Sequence, residues 1–517
     1  MNERSESNKL LWLGAVLVLG LTFAAHFRAL HGQFVDWDDT NHITRNVAIR
    51  GLTLDNLGLM FAHPIAKLYC PLTWLSFAVD FQVWGQRPFG YHLTNLLLHL
   101  TNTLLVLVLV REILRNRFQY ATAAAILTGV IFGVHPLRVE SVAWATERKD
   151  VLFTVFYLGA LVAYWRWLGT RKWRTYWICF GFFVASTLSK STAVSFPIVL
   201  LIIDHWLAKR KAWGEKIPFF AISLIITTIT FAAQVGGPVE TVATPEIIPL
   251  WERMGLVGYC SLFYVKKFFW PFHLSAAYAN FDQMGWTFFT SVGYLAAFSV
   301  VTALVIANRR RWPLLLPAWL FYLVTLSPTI GLVPSGVHVV ADRFSYVPLI
   351  GLALPVSVAV MWLVFSLPNT AARFAVSLLV AAVLMALVLL TDQRGTVWSN
   401  TETLFDNALQ EDPDCLPAHL NLAVYYTNRK EFDKAIDHAQ QAVKLAPNGI
   451  RGRKILAYAL IDKGERHEAV IALRPLAQQD VQDAEVWSIL GECFEALGDT
   501  NNAKLARESE RRCEGKL

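Results

Sequence analysis

The chain has 517 residues, 55% of them hydrophobic and only 16% charged, with 19 Trp and a net charge of +7. A mean hydropathy of +0.41, with a charged fraction well under the usual quarter, excludes an ordinary soluble protein and marks a polytopic membrane protein. The positive balance is not a nucleic-acid signature, because Lys and Arg gather between apolar runs, and the six cysteines show neither CxxC nor paired spacing, so no zinc site or disulfide framework is indicated.

The first apolar run, Leu10 to Leu30, is about long enough to span a bilayer and is read as a retained anchor. Arg4 and Lys9 ahead of it favour a cytoplasmic N-terminus. The acidic cluster Asp36-Trp37-Asp38-Asp39 then emerges on the opposite side, at the start of a first outer loop over 31–90. Within that loop, 52–62 and 71–84 read as short aromatic helices lying on the membrane surface. Spans follow at 91–110, 120–134, 151–168, 176–188, 192–207 and 217–235. A long outer loop covers 236–284, in which 253–270 reads as an interfacial or re-entrant helix; counting it as a crossing would put Arg309, Arg310 and Arg311 outside, against the charge bias. The remaining spans are 286–307, 312–330, 349–365 and 374–390. The expected fold is an all-α membrane domain over 1–390 with about eleven transmembrane helices, its basic loops in the cytoplasm.

From about Thr391 the composition turns soluble and helical, and self-similarity appears at a period of about 34 residues. Leu422, Ala423, Tyr426, Ala435, Ala442 and Pro447 fall on the tetratricopeptide pattern; Leu456, Leu460 and Ala469, then Trp487, Leu490 and Ala503, repeat it. A half repeat with Phe405 and Ala408 precedes them. The domain over 391–517 is therefore expected to be a short α-solenoid of about three repeats plus the half repeat, its groove suited to an extended peptide.

The predicted topology brings several ionisable residues to the face of Asp38 and Asp39. His135 and Glu140 lie in one polar loop with Arg148, Lys149 and Asp150; Lys190 ends a span; Arg343 follows Asp342. Charges at the edge of hydrocarbon are costly and are usually paired or functional. Taken singly, Lys190 snorkels as readily as it binds a ligand, His135 can simply cap a helix, and Arg148 can pair with Glu147 or Asp150. Together, cations able to hold a lipid-borne phosphate and a carboxylate able to take a hydroxyl proton fit sugar transfer.

These residues resemble the transmembrane and tetratricopeptide repeat-containing O-mannosyltransferases, members of the GT-C superfamily. The resemblance rests on Asp38-Asp39, Pro71-Leu72-Thr73, Tyr91-His92-Leu93-Thr94-Asn95, His135-Pro136 with Glu140 and Arg148, Lys190, and Asp342-Arg343 with Tyr346-Val347-Pro348. Cys70 and Ser191 stand where animal members tend to carry Arg and Glu. The resemblance implies an inverting enzyme that moves a sugar from a polyprenyl phosphate to Ser or Thr of a protein held by the repeats. It implies Asp38 or Asp39 as the base and Arg343, Lys190 and Arg148 as phosphate contacts. His135, Glu140 and Asp36 become supports, and the acidic cluster leaves room for a divalent cation. The expected setting is a bacterial inner membrane with the site outside the cytoplasm. The competing reading is a non-catalytic membrane scaffold, or a transporter of lipid-linked sugar.

Overall fold

A backbone in hydrocarbon must satisfy its own hydrogen bonds, and apolar runs of this length do so as helices. The computed structural model describes residues 2–235, 249–278, 285–330, 339–479 and 481–515, and among them the only β pairing is an isolated bridge between Ile65 and Leu68. Parts of the predicted outer loop, 236–248 and 279–284, lie outside the described residues. Two compact units result, one of Met1–Leu274 with Ala279–Asn400, the other of Ser275–Tyr278 with Thr401–Leu517.

The first unit is built on α1 (Asn2–His26), α4 (Pro88–Leu114), α5 (Ala121–Val134) and α7 (Arg148–Thr170). α4 packs on α5 and α7, and α1 packs on both α4 and α5. Between α1 and α4 lie α2 (Leu54–Ala62) and α3 (Pro71–Trp84), whose Met60, Trp74, Phe77 and Ala78 share a buried cluster with Ile49. Pro71 and Pro88 occupy the first turns of α3 and α4, where a missing N–H costs nothing. α5 ends at His135, which Pro136 holds extended (φ −77°, ψ 133°), and the chain turns by 59° into the short α6 (Val139–Ala143). α8 (Trp173–Ser189) packs back on α7 and leads through α9 (Phe196–Ile202) to α10 (Ile217–Val235). α11 (Leu250–Phe269), α12 (Phe288–Asn308), α13 (Leu315–Leu326), α14 (Ile350–Ser366) and α15 (Thr370–Val397) complete the unit.

Every run read as a span is helical, but the count of eleven is not reproduced by length and composition. Six helices among the described residues are long and apolar enough to cross a membrane, seven if the bent pair 121–134 and 136–143 is one span. Ser191–Leu207, Leu315–Thr329 and Ile350–Ser366 are apolar but shorter, and charges or polar turns shorten others. The helix read as interfacial, α11, is 20 residues long and packs along α12 rather than lying alone. α15 does not stop at residue 390 but continues to Val397, because Thr391 to Val397 carry no helix-breaking residue other than Gly395, which leaves α15 unbroken.

The second unit is a run of helical hairpins: α16 (Thr401–Glu411), then α17 (Leu416–Asn428) with α18 (Phe432–Leu445), α19 (Ile450–Lys463) with α20 (Arg466–Gln478), and α21 (Ala484–Ala496) with α22 (Thr500–Cys513). Consecutive helices pack on one another, and the small residues Ala423, Ala435, Ala442, Ala457 and Ala469 are fully buried where they meet.

Close helix contact in the first unit depends on missing side chains. A Cβ on Gly258 of α11 would sit 2.7 Å from the Tyr294 carbonyl oxygen of α12, whereas one on Gly293 would meet nothing within 4 Å. Gly258→Ala is expected to lower stability by about 1–3 kcal/mol as the helices part. Gly293→Ala should be neutral or stabilising through helix propensity. Melting temperatures in detergent that move the same way for both would contradict the tight contact.

Candidate functional site

The acidic cluster is divided by its surroundings. Asp39 is fully buried, accepting hydrogen bonds from the Val35 N–H (2.8 Å), the Thr146 N–H (2.9 Å) and the Thr146 hydroxyl. It ties the turn after α1 to the turn before α7. Burial pushes its carboxyl up to about 6, against the opposing pull of those hydrogen bonds. Asp38 is half-buried and lies within electrostatic reach of Lys149 and His42. Asp36, also half-buried, accepts from the Thr40 hydroxyl at 3.2 Å. Trp37 between them stacks on Trp144 (5.0 Å), which stacks on Trp398 (5.4 Å), so an aromatic column backs the loop.

Beside this loop stands a cluster of six opposed charges. Glu140 accepts from both the backbone N–H (3.0 Å) and the guanidinium of Arg343. Arg343 also lies 3.5 Å from Glu147, which receives Lys149 at 2.9 Å and Lys190 at 3.6 Å. Lys190 donates to Asp150, whose other oxygen accepts from Ser141 at 3.1 Å. Burial alone would lower the Arg343 guanidinium; Glu140 and then Glu147 outweigh it and hold it above its ordinary value. The layering decides what the cluster can do. The carboxylates of Glu140, Glu147 and Asp150 are 1–2% exposed, whereas Arg343, Lys149 and Lys190 are 11–14% exposed. A charge-balanced cluster therefore presents its cations outward. Arg343 and Lys149 also sit over the Trp144 ring, at 5.6 and 5.9 Å.

The turn carrying Arg343 is clamped from behind. Arg138, fully buried, donates to the carbonyls of Ser345 (3.1 Å) and Tyr346 (2.8 Å) and lies over the Phe132 ring at 4.6 Å. The Tyr346 hydroxyl meets His99 Nδ1 (2.6 Å) and accepts from Asn102 (3.2 Å). Asp342 and Arg343 form no ion pair with each other; the Asp342 carboxylate lies 3.9 Å from Arg394.

The structure thus brings Glu140, Lys190 and Arg343 together, with Asp38 alongside, but not all the predicted residues. Arg148 is fully buried on another side of α7, donating from Nη1 to Ser76 (2.7 Å), from Nη2 to Asp80 (2.7 Å) and to the Tyr91 carbonyl (2.8 Å), and from Nε to Asn95. With its donors spent on α3 and α4, it does not face the cation cluster. His135 is buried, bonded to the Phe268 carbonyl (3.0 Å) and accepting the Leu137 N–H (3.2 Å), the capping arrangement. Lys149 and Asp150, which the sequence places on this face without a role of their own, and Glu147, which it offers only as a partner for Arg148, are members of the cluster. His42, stacked on Trp74 at 5.0 Å, carries no obvious sequence signal; burial, then Lys149, lowers it to about 4 and keeps it neutral. No group of three or more His, Cys, Asp or Glu among the described residues is arranged to hold a metal ion.

Residues 417–448, on α17 and α18, match the tetratricopeptide repeat family. The chain is 22% identical over 494 residues to Protein O-mannosyl-transferase TMTC3 of Homo sapiens, an alignment covering 84% of this chain and 51% of that protein. It is 22% identical over 457 residues to Protein O-mannosyl-transferase F38B6.6 of Caenorhabditis elegans, covering 84% of this chain and 63% of that one. The match to Protein O-mannosyl-transferase Tmtc1 of Drosophila melanogaster reaches 30% over 202 residues, 36% of this chain and 22% of that protein. The chain is thus similar in sequence to these protein O-mannosyl-transferases. It spans less than two thirds of the length of each of these three. Among solved structures, ArnT from Cupriavidus metallidurans, crystallised with undecaprenyl phosphate, aligns at 13% identity with a TM-score of 0.40, over 90% of this chain and 80% of that one.

The motifs by which the chain resembles the TMTC proteins are mostly scaffolding around the cluster. Thr73 donates to the Ser189 carbonyl (2.9 Å), fixing the residue before Lys190. Asn95 donates to the Trp144 carbonyl (3.0 Å), and Thr94 to Asp80 (2.8 Å). Cys70 is a buried thiol pushed up to about 12 by burial, so it supplies no charge where animal members tend to have Arg.

Asp39 makes a pH test of its structural position. Its folded pKa, about 6, lies above its unfolded value, so the unfolded chain loses this proton first as pH rises. Stability should therefore fall by roughly 3 kcal/mol between about pH 4 and 6 and then level off, since one pKa unit is worth about 1.4 kcal/mol. Asp39→Asn should flatten that slope; equal slopes in chemical denaturation of both proteins would refute the buried assignment.

Proposed function

We propose that the chain is a membrane glycosyltransferase that moves a sugar, mannose or another hexose, from a polyprenyl phosphate to a Ser or Thr hydroxyl of a protein on the non-cytoplasmic side of a bacterial inner membrane. The observation that carries this reading is the layered charge cluster: cations outward, carboxylates behind, and the half-buried Asp38 beside them. The names of the TMTC relatives support the sugar and the acceptor class.

Asp38 takes the proton of the acceptor hydroxyl as that oxygen attacks the sugar's anomeric carbon. The bond from that carbon to the phosphate oxygen breaks, with inversion in a single displacement, and the electron pair leaves with the lipid phosphate. Arg343, Lys190 and Lys149 hold the charge that grows there. Glu140 positions Arg343, and Asp39 and His135 fix the turns before α7 and after α5. The helical hairpins of the second unit supply a groove for the acceptor chain.

Transfer from a polyprenyl-phosphate sugar to a Ser/Thr peptide by the purified protein tests the reading directly; a non-catalytic scaffold gives none with any donor. Asp38→Asn is expected to lower turnover by roughly 10²- to 10⁴-fold with donor binding retained. Full activity in that variant would remove Asp38 from the base role.

Arg343→Lys keeps the charge but loses the paired donors of a guanidinium, so both rate and donor affinity should fall while the melting temperature holds. Asp342→Asn, which leaves the Arg343 contacts intact, should bind and transfer nearly normally. Equal defects in the two variants, with equal destabilisation, would instead give Arg343 a purely structural role.

A further inference from the structure

α4 is 27 residues long, about 40 Å at 1.5 Å per residue, close to the full thickness of a bilayer. Its first turns contact Arg148 near the charge cluster; its other end, with the end of α7, borders a cavity of about 1600 Å³. That volume exceeds the roughly 300–1,000 Å³ of pockets for compact small molecules. Its walls are apolar along their length, with Val265 and Phe269 of α11 and Leu352 and Val356 of α14 among them. Its mouth is different. Arg115, Arg117, Arg166, Lys209 and Arg311 line it against a single carboxylate, Glu112.

Two of those cations are engaged: Arg115 pairs with Glu112 at 3.2 Å, and Arg117 donates to the Ile113 and Leu207 carbonyls, each at 2.8 Å. Arg166, Lys209 and Arg311 are exposed and have no ion-pair partner among the described residues. Trp165, Trp206, Trp312 and Trp362 line the cavity with them, the aromatic composition of a membrane interface. A long apolar cleft ending in uncompensated cations at interface depth fits an amphiphile with chains and an anionic head. A free phosphate would use only the mouth, and a neutral lipid would leave the cations unmatched.

We propose that this cavity binds an acidic phospholipid of the bilayer, its acyl chains between α4, α7, α13 and α14 and its phosphodiester against Arg166, Lys209 and Arg311. The proposed donor is not this occupant. With its phosphate at Arg343, a donor lipid has its head at the other end of α4, so the two phosphates belong to opposite leaflets. The site is thus a second lipid site, and it stands whether or not sugar transfer does.

The test uses the full chain in nanodiscs of phosphatidylcholine, with and without phosphatidylglycerol, and needs no activity. Lipid retained after detergent extraction is counted by native mass spectrometry, and melting temperature is followed. Phosphatidylglycerol should be retained about tenfold or more over phosphatidylcholine and should raise the melting temperature. The triple variant Arg166→Gln, Lys209→Gln, Arg311→Gln should lose both effects. Arg309→Gln with Arg310→Gln, two neighbouring cations that do not line the cavity, should keep them. Equal retention of the two lipids by the unmodified chain overturns the proposal even if the triple variant fails to fold. So does an unchanged triple variant, or loss of a bound polyprenyl phosphate in place of phospholipid.

Discussion

The ion cluster centred on Glu147 is the constraint from which the rest of the membrane unit follows. A carboxylate 2% exposed at the end of a bundle in lipid survives only if cations repay its desolvation, and three reach it from separate parts of the chain: Lys149 on α7, Lys190 after α8, and Arg343 after α13. Removing one partner of such a cluster leaves an uncompensated charge, which typically costs about 3–5 kcal/mol. Each segment must therefore be held in place by its own scaffold. Thr73 fixes the turn before Lys190, Arg138 with Tyr346 and His99 fixes the turn of Arg343, and Asp39 with Thr146 fixes the start of α7. The site and the packing of the bundle end are one structure.

What was legible in the sequence was what depends on local pattern. Apolar runs gave the helices, the period of small residues gave the hairpins, and His135-Pro136 marked the break after α5, since proline excludes its predecessor from helix. The predicted sidedness grouped Glu140, Lys190 and Arg343, and ion pairs join these three with Glu147 and Asp150 in one cluster. What was not legible was which member of a neighbouring pair faces the site. Asp38 and Asp39 are chemically identical, and burial with the bonds that Asp39 accepts from Val35 and the distant Thr146 distinguishes them. Arg148 and Lys149 are adjacent in a helix and point about 100° apart, but adjacency alone does not separate them, since Lys149 and Asp150 are adjacent too and both join the cluster. Which of the two faces the site was not legible, because Asp80 and Asn95, which claim Arg148, lie more than fifty residues away. Length and composition do not reproduce the count of eleven crossings for a related reason: hydropathy sees apolarity, while short helices such as α9 and α13 are kept in place by neighbours.

Charge balance shapes how the cluster can serve a phosphate. Three cations facing three carboxylates carry no net attraction at long range, so an arriving anion gains only what the outward donors offer at contact. Lysine has three N–H groups, and Lys149 spends one on Glu147 at 2.9 Å, leaving others free to turn outward without breaking the pair. In the proposed transfer, the buried acids hold the cations at fixed positions, so no reorganisation is needed as negative charge accumulates on the departing phosphate, the condition under which fixed charges are worth most. On that proposal the same acids offset the cations and keep the resting site from becoming a deep anion trap. An unbalanced cluster of three cations would bind donor and product more tightly, and uniform tightening of that kind does nothing for turnover. Under the proposed function, carboxylates one layer behind the cations set the site to respond to the change in charge during transfer more than to the charge itself.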